Sequence, residues 1–149
     1  MKVVVINGPN MNMLGKREPD LYGRKTLADI EEELSSLAGR LGITVSFVQS
    51  NIEGELVDAL QKAGVDADGV ILNGAAYTHT SVAMRDAVAA IGIPVVEVHL
   101  TNPQAREDFR RTSLLADVCA GSISGFGAES YVLALLYFER RKQEREKRK

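Results

Sequence analysis

Five times along this chain a short apolar run gives way to a helical pattern, and that alternation leaves few folds open. Strands separated by helices cannot pair as hairpins. They cross over instead, which gives a parallel sheet with helices covering both faces. The first strand is Val3-Val4-Val5-Ile6. Thr26, with Asp29 three residues on, forms a capping-box variant before Leu27, Ile30, Leu34, Leu37, Ala38 and Leu41, and Gly42 stops that helix. Ile43 to Val48 alternates as a second, partly exposed strand. Leu56, Val57 and Leu60 make the next helical stripe, which Gly64 is expected to close, and Gly69-Val70-Ile71-Leu72 is a third, buried strand. A helix over Ser81 to Ile91 and a fourth strand over Pro94 to Leu100 follow. Asn102 as N-cap and Pro103 as first residue predict another helix. The fifth strand falls near Val118 to Ser124, and a last helix runs from about Glu129 with Tyr131, Leu135 and Phe138 on its apolar side.

Five such units with right-handed crossovers predict a flavodoxin-like, doubly wound, five-stranded parallel sheet of order 2-1-3-4-5. With 149 residues, 45% of them apolar, the chain suffices for one well-buried core, so residues 1–149 read as a single domain. The segment from Glu139 to Lys149 is almost entirely charged and reads as a solvated, frayed helix end. One cysteine, Cys119, excludes an intramolecular disulfide framework and a cysteine-based zinc site, and is expected to be a buried spectator. No apolar run approaches the ~20 residues of a membrane span, and the first residues lead straight into a strand pattern. The cytoplasm is the expected compartment. Neither a membrane nor a nucleic acid is an expected partner.

In a sheet of this kind ligands bind beyond the carboxyl ends of the strands. The residues there are unusually polar: Asn7 and Asn10, then Gln49, Ser50 and Asn51, then Asn73, Tyr77 and His79, then His99, Thr101 and Asn102. Both histidines of the protein lie on this one edge. The first strand also runs into a long loop, Asn7 to Gly23, which carries amides, Arg17 and Tyr22, a mixture that suits a lid or binding loop. Taken singly, Asn7, Asn51 and Asn73 could equally satisfy turn backbones. Glu97 and His99, two apart on a strand, point the same way. The pair reads either as a carboxylate orienting an acid or as a structural ion pair. Arg106 and Arg110, four apart on the predicted helix, can grip a carboxylate or hydroxyls, or can form a solvated face. Tyrosine ordinarily titrates near ~10, so Tyr22 would serve as a base only with cations such as Arg17 beside it, and is otherwise a surface lid residue. The glycines around Gly8, Gly15 and Gly125 lack the spacing of a phosphate loop or a dinucleotide fingerprint.

Five segments together resemble one family, type II 3-dehydroquinate dehydratase: Ile6-Asn7-Gly8-Pro9-Asn10; Gly15 to Pro19 with Tyr22-Gly23; Gln49-Ser50-Asn51 with Glu53 to Leu56; Tyr77 to Ser81 with Arg85-Asp86; and Glu97 to Leu100 with Asn102 and Ala105-Arg106-Glu107. The resemblance spans Val3 to about Phe138. It implies reversible, cofactor-independent anti elimination of water from 3-dehydroquinate to 3-dehydroshikimate through an enolate, a step of the shikimate pathway that leads to chorismate and the aromatic amino acids. No metal is implied. Tyr22 would be the base, with Arg17 and Arg106 beside it. Asn10 would stabilise the enolate, and His99, oriented by Glu97, would protonate the departing hydroxyl. Asn73, His79, Thr101, the Leu100 amide and Arg110 would hold the substrate. Asp86 would reach a neighbouring subunit's site in a homododecamer of four trimers. The sequence departs from the usual pattern at Gly74, Thr101, Gln104 and Thr112; Thr101 keeps the hydroxyl of the commoner serine. The alternative from a different class is a flavodoxin-like binding or regulatory module, for a small molecule or phosphate, that has kept the fold without catalysis.

Overall fold

The computed structural model describes residues 1–148. Its five strands, β1 (Lys2–Asn7), β2 (Thr44–Gln49), β3 (Gly69–Asn73), β4 (Val95–His99) and β5 (Gly121–Ser124), form one parallel sheet in the order β2-β1-β3-β4-β5, as the alternation predicts. The helices are α1 (Pro19–Tyr22), α2 (Leu27–Leu41), α3 (Glu53–Asp66), α4 (Val82–Ala90) and α5 (Glu129–Lys147). Alternate strand residues face opposite ways and so feed two cores. Val3, Val5, Ile71, Val96 and Val98 pack beneath α2 and α5 against Ile30, Leu34, Tyr131, Leu135 and Phe138. Val4, Ile6, Val70, Leu72 and Val95 pack beneath α3 and α4 against Leu56, Leu60, Met84 and Val88. Each such side chain contributes about 1.5–3 kcal/mol on burial, and the three central strands supply most of them.

Local chemistry sets the element ends. The Thr26 hydroxyl accepts from the Asp29 amide at 3.2 Å and the Asp29 carboxylate accepts from the Thr26 amide at 2.8 Å, which completes the expected capping box. Ser81 caps α4 by accepting from the Met84 amide at 2.9 Å. Arg85 grips the Asp117 carboxylate with two nitrogens and so ties α4 to the turn that precedes β5.

Four expectations are corrected. Gly64 does not close α3, which continues to Asp66; a Cβ at that position would lie 2.7 Å from Ile91 Cγ2, so the glycine is there to let α3 and the end of α4 approach. The helix predicted at Asn102 is instead two 3₁₀ turns, Pro103–Ala105 and Asp108–Arg110, separated by an extended Arg106. Asn102 does cap the first turn, but the segment has no apolar stripe to dock on the sheet, and packing, more than capping, sustains a helix. Before β5, Ala116–Val118 is a 3₁₀ turn, so the fifth strand begins only at Gly121. The charged C-terminal segment does not fray after Glu139. It stays helical through Lys147, with Lys142 Nζ donating to the carbonyls of Leu41 (3.0 Å) and Gly42 (3.1 Å) at the end of α2. Cys119 is half-buried, and burial followed by the charges of Glu97 and Asp117 pushes its thiol up to about 12.

Candidate active site

The carboxyl ends of β1, β3 and β4 open onto one cleft. From β1 come Pro9, Asn10, Met11 and Leu14, followed by Arg17 and Tyr22; from β3, Asn73, Ala75, Ala76 and His79; and from β4, His99, Leu100, Thr101, Pro103, Arg106 and Arg110. Met11 and Leu14 are buried, so the wall beneath the polar groups is apolar and dry. Of the residues given a role by the resemblance, Glu97 and Asp86 do not line the cleft; of the polar strand-end residues, Asn7, Gln49, Ser50, Asn51, Tyr77 and Asn102 do not. Glu97 stands directly behind His99, whereas Asp86 is exposed on α4. Arg106 and Arg110 both reach the cleft although no single helix carries them.

One side of the cleft is cationic. The guanidinium carbon of Arg17 lies 5.8 Å from the centroid of the Tyr22 ring and that of Arg106 lies 5.3 Å from it. Two positive charges therefore lie close to one phenol. Arg110 Nε is held by Glu107 at 2.8 Å, which fixes the third guanidinium at the mouth.

The end of β4 brings His99 into the same cleft. His99 Nε2 lies 3.0 Å from Glu97 Oε1, and the Glu97 side chain is only 1% exposed. Ser113 Oγ donates to Oε1 at 2.5 Å and Ser122 Oγ to Oε2 at 2.9 Å. Burial opposes ionisation of this carboxylate, but hydrogen bonds from His99, Ser113 and Ser122 outweigh it, and its pKa lies below the ordinary glutamate value. An ionised carboxylate only accepts hydrogen bonds, so it fixes the hydrogen on Nε2 and leaves Nδ1 as the ring nitrogen without a protein partner. The other histidine is fixed too, His79 Nδ1 lying 2.8 Å from the Thr112 carbonyl.

The floor is built from amides. Asn73 Nδ2 donates to the Tyr131 hydroxyl at 2.9 Å, the Tyr131 hydroxyl donates to Asn7 Oδ1 at 2.5 Å, and Asn73 Oδ1 accepts from the Ala75 amide at 3.1 Å. Asn7 is thus a fully buried support and not a lining residue. Burial raises the Tyr131 phenol far above the usual tyrosine range, so it remains a hydrogen-bond donor. Gly8 runs so close to the next loop that a Cβ would sit 2.5 Å from the Gly74 carbonyl oxygen, and its amide donates to Asn73 O at 2.8 Å. Sequence reasoning missed Ser113, Ser122 and Tyr131. Ser122 alone carried a readable signal, since in a 2-1-3-4-5 sheet it falls opposite Glu97. Among the described residues no group of three or more His, Cys, Asp or Glu is arranged to hold a metal ion.

The family model for "Dehydroquinase class II" matches residues 1–139. The chain belongs to this family. A 3-dehydroquinate dehydratase of Campylobacter hominis is 54% identical over 136 residues, covering 91% of this chain and 88% of that one. Another, of Bordetella avium, is 56% identical over 136 residues, covering 91% and 94%. The crystal structure of type II dehydroquinase from Propionibacterium acnes superposes with a TM-score of 0.91 at 35% identity, covering 93% of this chain and 96% of that one. That from Butyrivibrio crossotus gives 0.89 at 41% identity, covering 91% and 94%. No helix among the described residues is long and apolar enough to cross a membrane.

Proposed function

We propose that this class II dehydroquinase is a 3-dehydroquinate dehydratase that uses the cleft between Tyr22 and His99 to remove water from 3-dehydroquinate. The single observation that carries the assignment of roles is the meeting in one cleft of a phenol close to two guanidiniums and a histidine braced by a buried carboxylate. Tyr22, as phenolate, takes the proton alpha to the ketone, and the electron pair passes to the carbonyl oxygen to give an enolate. Asn10, at the turn after β1, supplies a fixed dipole for that oxygen, directly or through a water. The enolate then collapses, the adjacent hydroxyl leaves with a proton from His99, and the conjugated enone 3-dehydroshikimate forms. Proton return from Tyr22 to solvent and from solvent to His99 resets the site. Asn73, His79, Thr101, the Leu100 amide and Arg110 hold the substrate's carboxylate and hydroxyls. No step draws on a cofactor.

The lid carrying Arg17 and Tyr22 closes over bound substrate and excludes water. The reaction serves the shikimate pathway, in the cytoplasm, and cell fractionation tests that location. The assembly is a homododecamer of four trimers, in which the exposed Asp86 of α4 reaches a neighbour's cleft; sedimentation tests that state, and a monomer at working concentration would refute it. The decisive experiment is the ultraviolet absorbance rise of the enone when the purified protein meets 3-dehydroquinate. The wild type should give it, and Tyr22→Phe should lower turnover by about 10²- to 10⁴-fold with substrate binding retained. Near-normal turnover in Tyr22→Phe would remove the base from the mechanism.

A further inference from the structure

The motif Gln49-Ser50-Asn51 spans the end of β2 and the turn after it but contributes nothing to the lining of the cleft. Its hydrogen bonds point to the loop that does. Asn51 Oδ1 accepts from the Asn10 amide at 2.9 Å and from Gln49 Nε2 at 3.2 Å, and the same Gln49 nitrogen donates to the Gly8 carbonyl at 3.2 Å. The Tyr77 hydroxyl donates to the Asn51 carbonyl at 2.8 Å, which holds Asn51 from the opposite loop. Ser50 anchors the turn itself: it is buried, its hydroxyl donates to Glu55, and it accepts from the Ile52 amide at 2.9 Å.

What these bonds restrain is unusual. Asn10 has φ 66° and ψ 0°, a left-handed conformation that a residue other than glycine keeps only when its surroundings hold it there. An asparagine side chain tolerates that region better than most, yet its own side chain makes no capping bond in this turn. The acceptor for its amide is Asn51. We infer that Asn51 is a positioning residue for the elimination, acting by locking the Asn10 backbone left-handed so that the Asn10 side chain is presented to the cleft. The inference rests on the role given above to Asn10.

Asn51 is exposed, so its replacement leaves the core intact. Both bonds to its Oδ1 are accepted ones, so Asn51→Asp keeps them and Asn51→Leu loses both. Steady-state kinetics and thermal unfolding of these variants, alone and combined with Asn10→Ala, provide the test. Asn51→Leu should lower kcat roughly five- to tenfold with KM little changed, the loss expected for one hydrogen bond felt mainly in the transition state. Asn51→Asp should restore most of that loss. In the Asn10→Ala background Asn51→Leu should cost almost nothing more, because its effect travels through Asn10. A full, additive loss in that background, or a fall in Tm with kcat unchanged, would overturn the positioning role. An Asn10→Ala variant with normal kcat would instead overturn the assignment of Asn10.

Discussion

Glu97 is the side chain on which the setting of His99 depends. A carboxylate this completely withdrawn from water persists as an ion only because His99, Ser113 and Ser122 all address it. Its folded-state pKa lies below the ordinary value of 4.5, so the folded form binds its proton less readily than the unfolded chain. The stability this contributes is therefore complete above pH 4.5 and is lost as the pH falls through the folded value. Glu97→Gln should cost about 1–3 kcal/mol at pH 7, and the gap from wild type should close as the pH is lowered below 4.5. Urea denaturation of both proteins across that range measures it, and a gap that does not change with pH would mean that the charge contributes nothing. Part of this arrangement is legible in the sequence. Glu97 and His99 alternate onto one face of a predicted strand, and Ser122 follows from sheet register. Ser113 lies in an irregular segment 14 residues past His99, where no periodicity announces which way a side chain points.

Packing between elements is as sensitive as the site. Gly64 lies inside α3, where alanine would ordinarily gain about 1 kcal/mol in helix propensity. Here its methyl would meet Ile91 at Cγ2 and Cβ, close to the backbone and unable to swing away. Gly64→Ala should therefore lose about 1–2 kcal/mol net, and in an Ile91→Gly background, which removes both contacting atoms, the same substitution should become neutral or favourable. Chemical denaturation of the two variants and the pair decides it; a stabilised Gly64→Ala would show that α3 and α4 can part freely. The same residue explains one failure of sequence reading. Glycine at the end of an apolar stripe signals a stop by local rules, and its real role is a contact 27 residues away. The stretch after Asn102 fails for the complementary reason. Asn-Pro is a sound start signal, but nothing apolar follows at helical spacing, so tertiary structure takes Arg106 and Arg110 to the cleft on separate short turns.

Across the whole molecule the topology was legible because short apolar runs alternate five times with helical patterns. How the C-terminal helix is anchored was not, because charge alone does not reveal a specific partner. Lys142 caps α2, and Arg145 pairs at 3.0 Å with Asp68, whose other oxygen accepts from the Lys2 amide at 2.7 Å. Residues 140–149, which supply the basic half of this clamp, lie outside the family match. Removing residues 140–149 should lower stability by about 1–2 kcal/mol and Tm by roughly 3–8 °C while turnover is retained. Thermal unfolding tests this, and an unchanged Tm would mean that the clamp is idle. The hydroxyl of Tyr131 that joins Asn7 to Asn73 spans 124 positions of sequence to Asn7. A chain emerging from the ribosome can therefore form β1 and β3 early, but the floor of its cleft stays open until α5 has been synthesised and docked.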